Sequence, residues 1–129
     1  MTIVRPFLMF TGQAEEAMRL YVNGFNDAEI NELHRYAHSE EGDQAKVQQG
    51  VITIHGQQIF FTDSIVKHQF DFTPSVSLFV KFDTLVELEY AYQTLIERGE
   101  VLMPLDQYGF SKKFVWFNDR FGVSWQLSL

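Results

Sequence analysis

The stretch Asn118-Asp119-Arg120-Phe121-Gly122-Val123-Ser124-Trp125-Gln126-Leu127-Ser128-Leu129 decides how this chain is read. It opens with a turn, Asp119 to Gly122, where the glycine supplies the positive φ that a tight reversal often needs. Strict alternation follows. Val123, Trp125, Leu127 and Leu129 point one way, and Ser124, Gln126 and Ser128 point the other. One face is built to be buried. The other carries small polar groups, which suits a ligand pocket or solvent.

Working upstream, Phe110 to Asn118 forms the other arm of a terminal hairpin. A short strand near Val101 to Met103 and a loop from Pro104 to Gly109 precede it. Before these comes a helix through Leu85, Leu88, Tyr92, Leu95 and Ile96, opened by the capping box Thr84-Leu85-Val86-Glu87 and closed at Arg98-Gly99. Val76 to Phe82 is a strand with Val76, Leu78, Val80 and Phe82 on one face.

The first half repeats this order. Phe7 to Phe10 reads as a buried strand, and Thr11-Gly12-Gln13 breaks it. Ala14, Ala17, Met18, Tyr21, Val22 and Phe25 fall at helical spacing, with Thr11 or Gly12 as N-cap and Gly24 as the stop. Glu29 to Tyr36 is a weakly patterned strand, His38 to Lys46 an exposed loop, and Val47 to Ile54 and Gln57 to Thr62 a hairpin turning at His55-Gly56. Asp63 to Pro74 connects the halves and carries Phe70 and Phe72. Strand, helix and three strands thus occur twice, offset by about 70 residues. The expected fold class is α+β: paired βαβββ modules at 1–66 and 75–129, within one domain spanning 1–129, with curved sheets around a shared cavity.

Composition narrows the function. With 13 Phe and 46% hydrophobic residues the chain can fill a real core. A net charge of −7 with no Lys/Arg cluster argues against nucleic acid and anionic membrane as partners. No cysteine is present, which excludes disulfides, thiol catalysis and cysteine metal sites. The N-terminus is not patterned as a signal peptide and no apolar run approaches a membrane span, so a cytoplasmic location is expected.

Phe10-Thr11-Gly12-Gln13-Ala14-Glu15-Glu16-Ala17, Gly56-Gln57, Ser77-Leu78-Phe79-Val80 and Asp119-Arg120-Phe121-Gly122-Val123-Ser124-Trp125-Gln126-Leu127 together resemble the vicinal oxygen chelate superfamily, which includes glyoxalase I and extradiol dioxygenases. Within it the chain looks most like the PhnB-like group, often named demethylubiquinone methyltransferases. No Gly-x-Gly nucleotide loop supports the methyltransferase label. The resemblance implies paired βαβββ modules, usually a homodimer, and a cavity metal held by His, Gln or Glu of both modules. The carboxylate ligand of the last strand would fall at Gln126 and the histidine of the second module's first strand at Ser77. In the first module the cavity-facing positions near Phe7 and Phe60 are apolar. These donors are too few for a divalent ion, so neither a metal nor another cofactor is expected.

The candidate ligand-binding residues are therefore Gln126, Ser77, Phe60, Phe79, Val115 and Phe117, and the expected ligand is a small apolar molecule. With a four-residue loop in the last hairpin, Gln126 lies opposite Val115 and Ser124 opposite Phe117; both apolar residues then line the cavity, while Trp116 and Trp125 pair on the helix side. A bulge reverses this. Gln126 and Ser77 either bind ligand or bond one another, water or a dimer partner. Phe60, Phe61, Phe70, Phe72, Phe79 and Phe110 supply either a pocket or a dimer seam. Glu32, His34, Tyr36 and His38 share a strand face that is either a metal site or solvent-facing. His68 with Asp71 is a candidate general base; His55, Asp63, Asp119 and Arg120 read as turn residues. Two other functions stay open: a metal-dependent lyase or dioxygenase with unusual ligands, and an interaction protein with a vestigial cavity.

Overall fold

In a computed structural model of the chain, residues 1–37 and 45–129 are described. They form two compact units, Met1–His68 and Gln69–Leu129. Each contains one helix and one four-stranded sheet.

The first unit runs β1 (Phe7–Phe10), α1 (Ala14–Asn23), β2 (Ala28–Arg35), β3 (Val47–Ile54) and β4 (Gln57–Asp63), with strand order β1-β4-β3-β2. α1 is helical because its apolar residues recur at three and four; Ala14, Ala17, Met18 and Tyr21 are all buried. Tyr21 packs against Phe61, whose ring also stacks on Phe10. Gly50 leaves room for the Met18 side chain over β3. The expected N-cap at Thr11 or Gly12 is not used. Gln13 occupies the cap without a side-chain bond. The Asp63 carboxylate, at the end of β4, instead accepts from Gly12 N (2.8 Å) and Ala14 N (3.0 Å) with one oxygen, and from Val47 N (2.8 Å) with the other. Asp63 is thus more than the turn residue its sequence position suggests: it fastens the start of α1 and the start of β3 to β4.

The second unit runs β5 (Ser77–Lys81), α2 (Leu85–Ile96), β6 (Glu100–Tyr108), β7 (Ser111–Asn118) and β8 (Ser124–Ser128), with order β5-β8-β7-β6. The same topology in both units, first strand parallel to the last, is the repeat expected from sequence. The expected cap is formed at Thr84, whose Oγ1 accepts from Glu87 N at 3.2 Å and donates to Glu87 Oε1 at 2.7 Å. Leu88, Ala91 and Leu95 of α2 are buried, and Tyr92 meets Phe117 with ring centroids 5.5 Å apart. β6 continues through Pro104 to Tyr108, where a loop is expected. Proline is tolerated there because β6 is an edge strand, paired irregularly with β7.

The register of the last hairpin corrects the four-residue expectation. Asn118 pairs with Ser124, Phe117 with Trp125, Trp116 with Gln126 and Val115 with Leu127, so the loop runs over five residues, 119–123. Asp119 N donates to Val123 O at 2.8 Å, closing the loop one residue later. Its carboxylate accepts from Phe121 N, Val123 N and the Trp125 indole at 2.9–3.0 Å. Val115 and Phe117 consequently face the helix with Trp125 and Leu127, all fully buried or nearly so. A one-residue slip would turn Val115 and Phe117 to the other face and forfeit roughly 1.5–3 kcal/mol for each.

Candidate functional site

The face of the second sheet that is turned away from α2 is built in rows, because hydrogen-bonded partners point the same way. Ser77, Ser124 and Asn118 form one row across β5, β8 and β7. Phe79, Gln126 and Trp116 form the next, and Met103 of β6 extends it. Lys81, Ser128 and Phe114 form the third. Two of the expected ligand residues, Val115 and Phe117, are missing from this face; three, Ser77, Phe79 and Gln126, stand together on it.

The two upper rows are joined by hydrogen bonds. Trp116 Nε1 donates to Ser124 Oγ at 2.7 Å. Ser77 Oγ donates to the same oxygen at 3.2 Å, and Gln126 Nε2 donates to Ser77 Oγ at 3.3 Å. Gln126 and Ser77 therefore do bond one another. That bond uses only one amide hydrogen, and among the described residues none donates to Gln126 Oε1. Ser124, nearly fully buried, is the hub that holds both the indole and Ser77. Phe79, beside Gln126, keeps 60% of its surface exposed, with Ser77 and Lys81 two positions away along β5 on the same face.

Trp116 and Ser124 are the members that sequence reasoning placed on the wrong side or left without a role. The signal for Trp116 was its indole N–H: a buried tryptophan needs an acceptor. On the α2 side Trp125 already takes the Asp119 carboxylate, whereas the serine row offers an acceptor for a second indole.

In the first unit, Phe60 is on the helix-free face beside its β1 partner Phe7, the rings edge to face at 4.5 Å, with the Arg5 guanidinium 5.0 Å from the Phe60 centroid. Glu32 Oε1 accepts from Gln49 Nε2 at 3.2 Å and lies 3.5 Å from His34 Nε2; both Glu32 and His34 are solvent-exposed. Tyr36 instead donates its hydroxyl to the Asp63 carbonyl, and His38 lies outside the described residues. His55 Nε2 is within 3.0 Å of Asn26 Oδ1, beside the β3–β4 turn.

The donor set does not fit a divalent ion. Gln126 offers a neutral amide oxygen, its neighbours are hydroxyls, and among the described residues no three His, Asp or Glu side chains converge. No helix of the described residues is long and apolar enough to cross a membrane.

A family model described as 3-demethylubiquinone-9 3-methyltransferase matches residues 2–128. Among solved structures, a Bacillus cereus PhnB protein provisionally assigned as a 3-demethylubiquinone-9 3-methyltransferase is 44% identical, with 99% of each chain covered and a TM-score of 0.93. The Pseudomonas aeruginosa protein PA1353 is 23% identical over 99% of this chain and 97% of its own, with a TM-score of 0.86. The fosfomycin resistance protein FosX of Listeria monocytogenes, 13% identical over 98% of this chain and 91% of its own at a TM-score of 0.65, shares the fold. A search of curated proteins finds no match. With the family model spanning nearly the whole chain and a PhnB protein 44% identical over nearly its full length, the chain belongs to the family described as 3-demethylubiquinone-9 3-methyltransferase, and its fold is glyoxalase-like.

Proposed function

We propose that this protein binds a small, largely apolar molecule on the helix-free face of its second sheet, without help from a metal ion. The observation that carries the reading is the row Phe79–Gln126–Trp116: an amide oxygen to which none of the described residues donates, on the strand between those of an exposed phenyl ring and an indole pinned by Ser124. Pockets for small ligands combine apolar walls with few polar groups in this way. The methyltransferase description of the family draws no support from the start of α1, where a cofactor's anionic end would bind. Its amides at Gly12 and Ala14 are already taken by Asp63.

A homodimer and a cytoplasmic location belong to the same reading. Exposed Phe7 would gain from cover by a second copy, and a cysteine-free chain suits a reducing compartment.

The test is a ligand-observed NMR screen of neutral small molecules, run with a strong chelator present. Hits are expected to bind in chelator and to weaken about tenfold or more with Gln126→Leu, the scale of one lost buried hydrogen bond. Binding that appears only after a divalent ion is added, or hits indifferent to Gln126→Leu, would refute the assignment.

A further inference from the structure

Arg5 is held on the helix-free face of the first sheet without a counter-ion. Its Nη1 donates to Gln58 Oε1 at 3.1 Å, and its guanidinium carbon lies 5.0 Å from the centroid of the Phe60 ring. That ring is itself packed edge to face by Phe7. The arginine and the glutamine are both half-buried. Two neutral groups thus hold the cation, and neither cancels its charge. Arg19, Arg35 and Arg120 each lie against a glutamate, but among the described residues no carboxylate comes within ion-pair distance of Arg5. Acids are not scarce, with 17 Asp and Glu against 10 Lys and Arg. The carboxylate in the same row as Gln58 is Glu29, two strands away on β2, and it accepts from Asn31 instead.

The uncommitted groups are all donors. Arg5 Nε and Nη2 form the side-on fork of the guanidinium, two parallel N–H bonds in one plane, and among the described residues nothing accepts from them. Gln58 gives its oxygen to Arg5, and its Nε2 hydrogens likewise meet no acceptor among the described residues. Donors on two bonded side chains, unmatched by acceptors, call for an anion. The fork matches two oxygens that share one charge in one plane, which is a carboxylate. A single guanidinium in a chain of net charge −7 favours a monoanion over a dianion.

We propose that Arg5 and Gln58 form an anion site that takes the carboxylate of a small monocarboxylic acid on the Nε–Nη2 fork. The site belongs to the first unit and is independent of the binding face read on the second sheet. Benzoate, benzamide and sulfate are titrated at constant ionic strength. The Arg5 Nε–H and Gln58 side-chain amide signals are followed by NMR, with Arg5→Lys and Gln58→Leu assigning them.

Benzoate is expected to shift both signals with a Kd in the low-millimolar range. Benzamide, alike in shape but uncharged, should bind about tenfold more weakly or not at all. Arg5→Lys keeps the charge but loses the fork, and should weaken benzoate about tenfold; Arg5→Gln should abolish the response. Unchanged backbone amide signals from β1 and β4 establish that the variants are folded. No response to benzoate, benzamide or sulfate binding as tightly as benzoate, or Arg5→Lys leaving benzoate unaffected would each overturn the proposal. So would sedimentation in which the parent is a dimer and Arg5→Gln a monomer, since the anion would then be a carboxylate of a second copy.

Discussion

Each unit is fastened by one buried aspartate, but the two are used differently. Asp63 joins segments far apart in the chain, the start of α1 about 50 residues upstream and the start of β3 16 residues upstream. The Asp119 carboxylate accepts from groups two, four and six residues ahead, within its own hairpin. The first holds a tertiary arrangement together. The second sets a loop length and, through it, decides which face Trp116 occupies. A buried carboxylate can therefore act as a long-range tie or as a local register pin, and the reach of its hydrogen bonds tells which.

This difference can be broken by substitution. Asp63→Ala leaves three amide donors with no partner, two of them buried and beyond the reach of water. At about 1–3 kcal/mol for each unsatisfied donor, a loss of about 4 kcal/mol or more is expected in urea unfolding, a large share of an ordinary domain's stability. Asp119→Ala likewise leaves two buried donors and one part-buried donor, so a loss of similar size, about 4 kcal/mol or more, is expected. It carries a second signature that Asp63→Ala lacks: the Trp125 indole loses its acceptor, and emission from that buried ring shifts. An emission shift of the same size in Asp63→Ala, or none in Asp119→Ala, would contradict the distinction.

The smallest effect sharpens the comparison on the surface of α1. Glu15 accepts from Arg19 Nε and Nη2, and also pairs with Arg35 of β2. These bonds, that to Arg19 foremost, hold its carboxyl below the ordinary glutamate value of 4.5. Because the folded value lies below the unfolded one, the stabilisation is present above the unfolded value and fades as pH falls through the folded one. Glu15→Gln should therefore reduce stability at neutral pH by less than about 1 kcal/mol, and the gap from the parent should close on acidification. A gap that widens in acid would show the ion pairs to be irrelevant.

The sequence made most of the architecture legible. The period of α1, the Thr84–Glu87 cap, the His55-Gly56 hairpin and the duplicated order are local patterns, and each appears where local rules place it. Three features did not show. The cap of α1 comes from Asp63, across a separation that no local motif spans. Pro104 read as a loop residue because an edge position cannot be known before the strand order is known. The last hairpin's register turned on a single loop residue, and in a strand with period two that residue exchanges the faces of Val115, Trp116 and Phe117. Gln126, Ser77 and Phe79 were readable as a set because β5 and β8 alternate cleanly; Ser124's place as hub depends on the reach of the Trp116 indole across the strand pair, which follows only from the hairpin register.

The span of the two carboxylate ties also bears on the order of assembly from the unfolded chain. Closing a loop of about 50 residues instead of about five costs on the order of 2 kcal/mol more in chain entropy. The turn closed by Asp119 is therefore expected to nucleate early, and the bonds made by Asp63 to come late, once β4 has found β1. In pulse-labelled hydrogen exchange during refolding, the Val123 amide should gain protection before those of Gly12 and Ala14; the reverse order would place nucleation in the first unit instead.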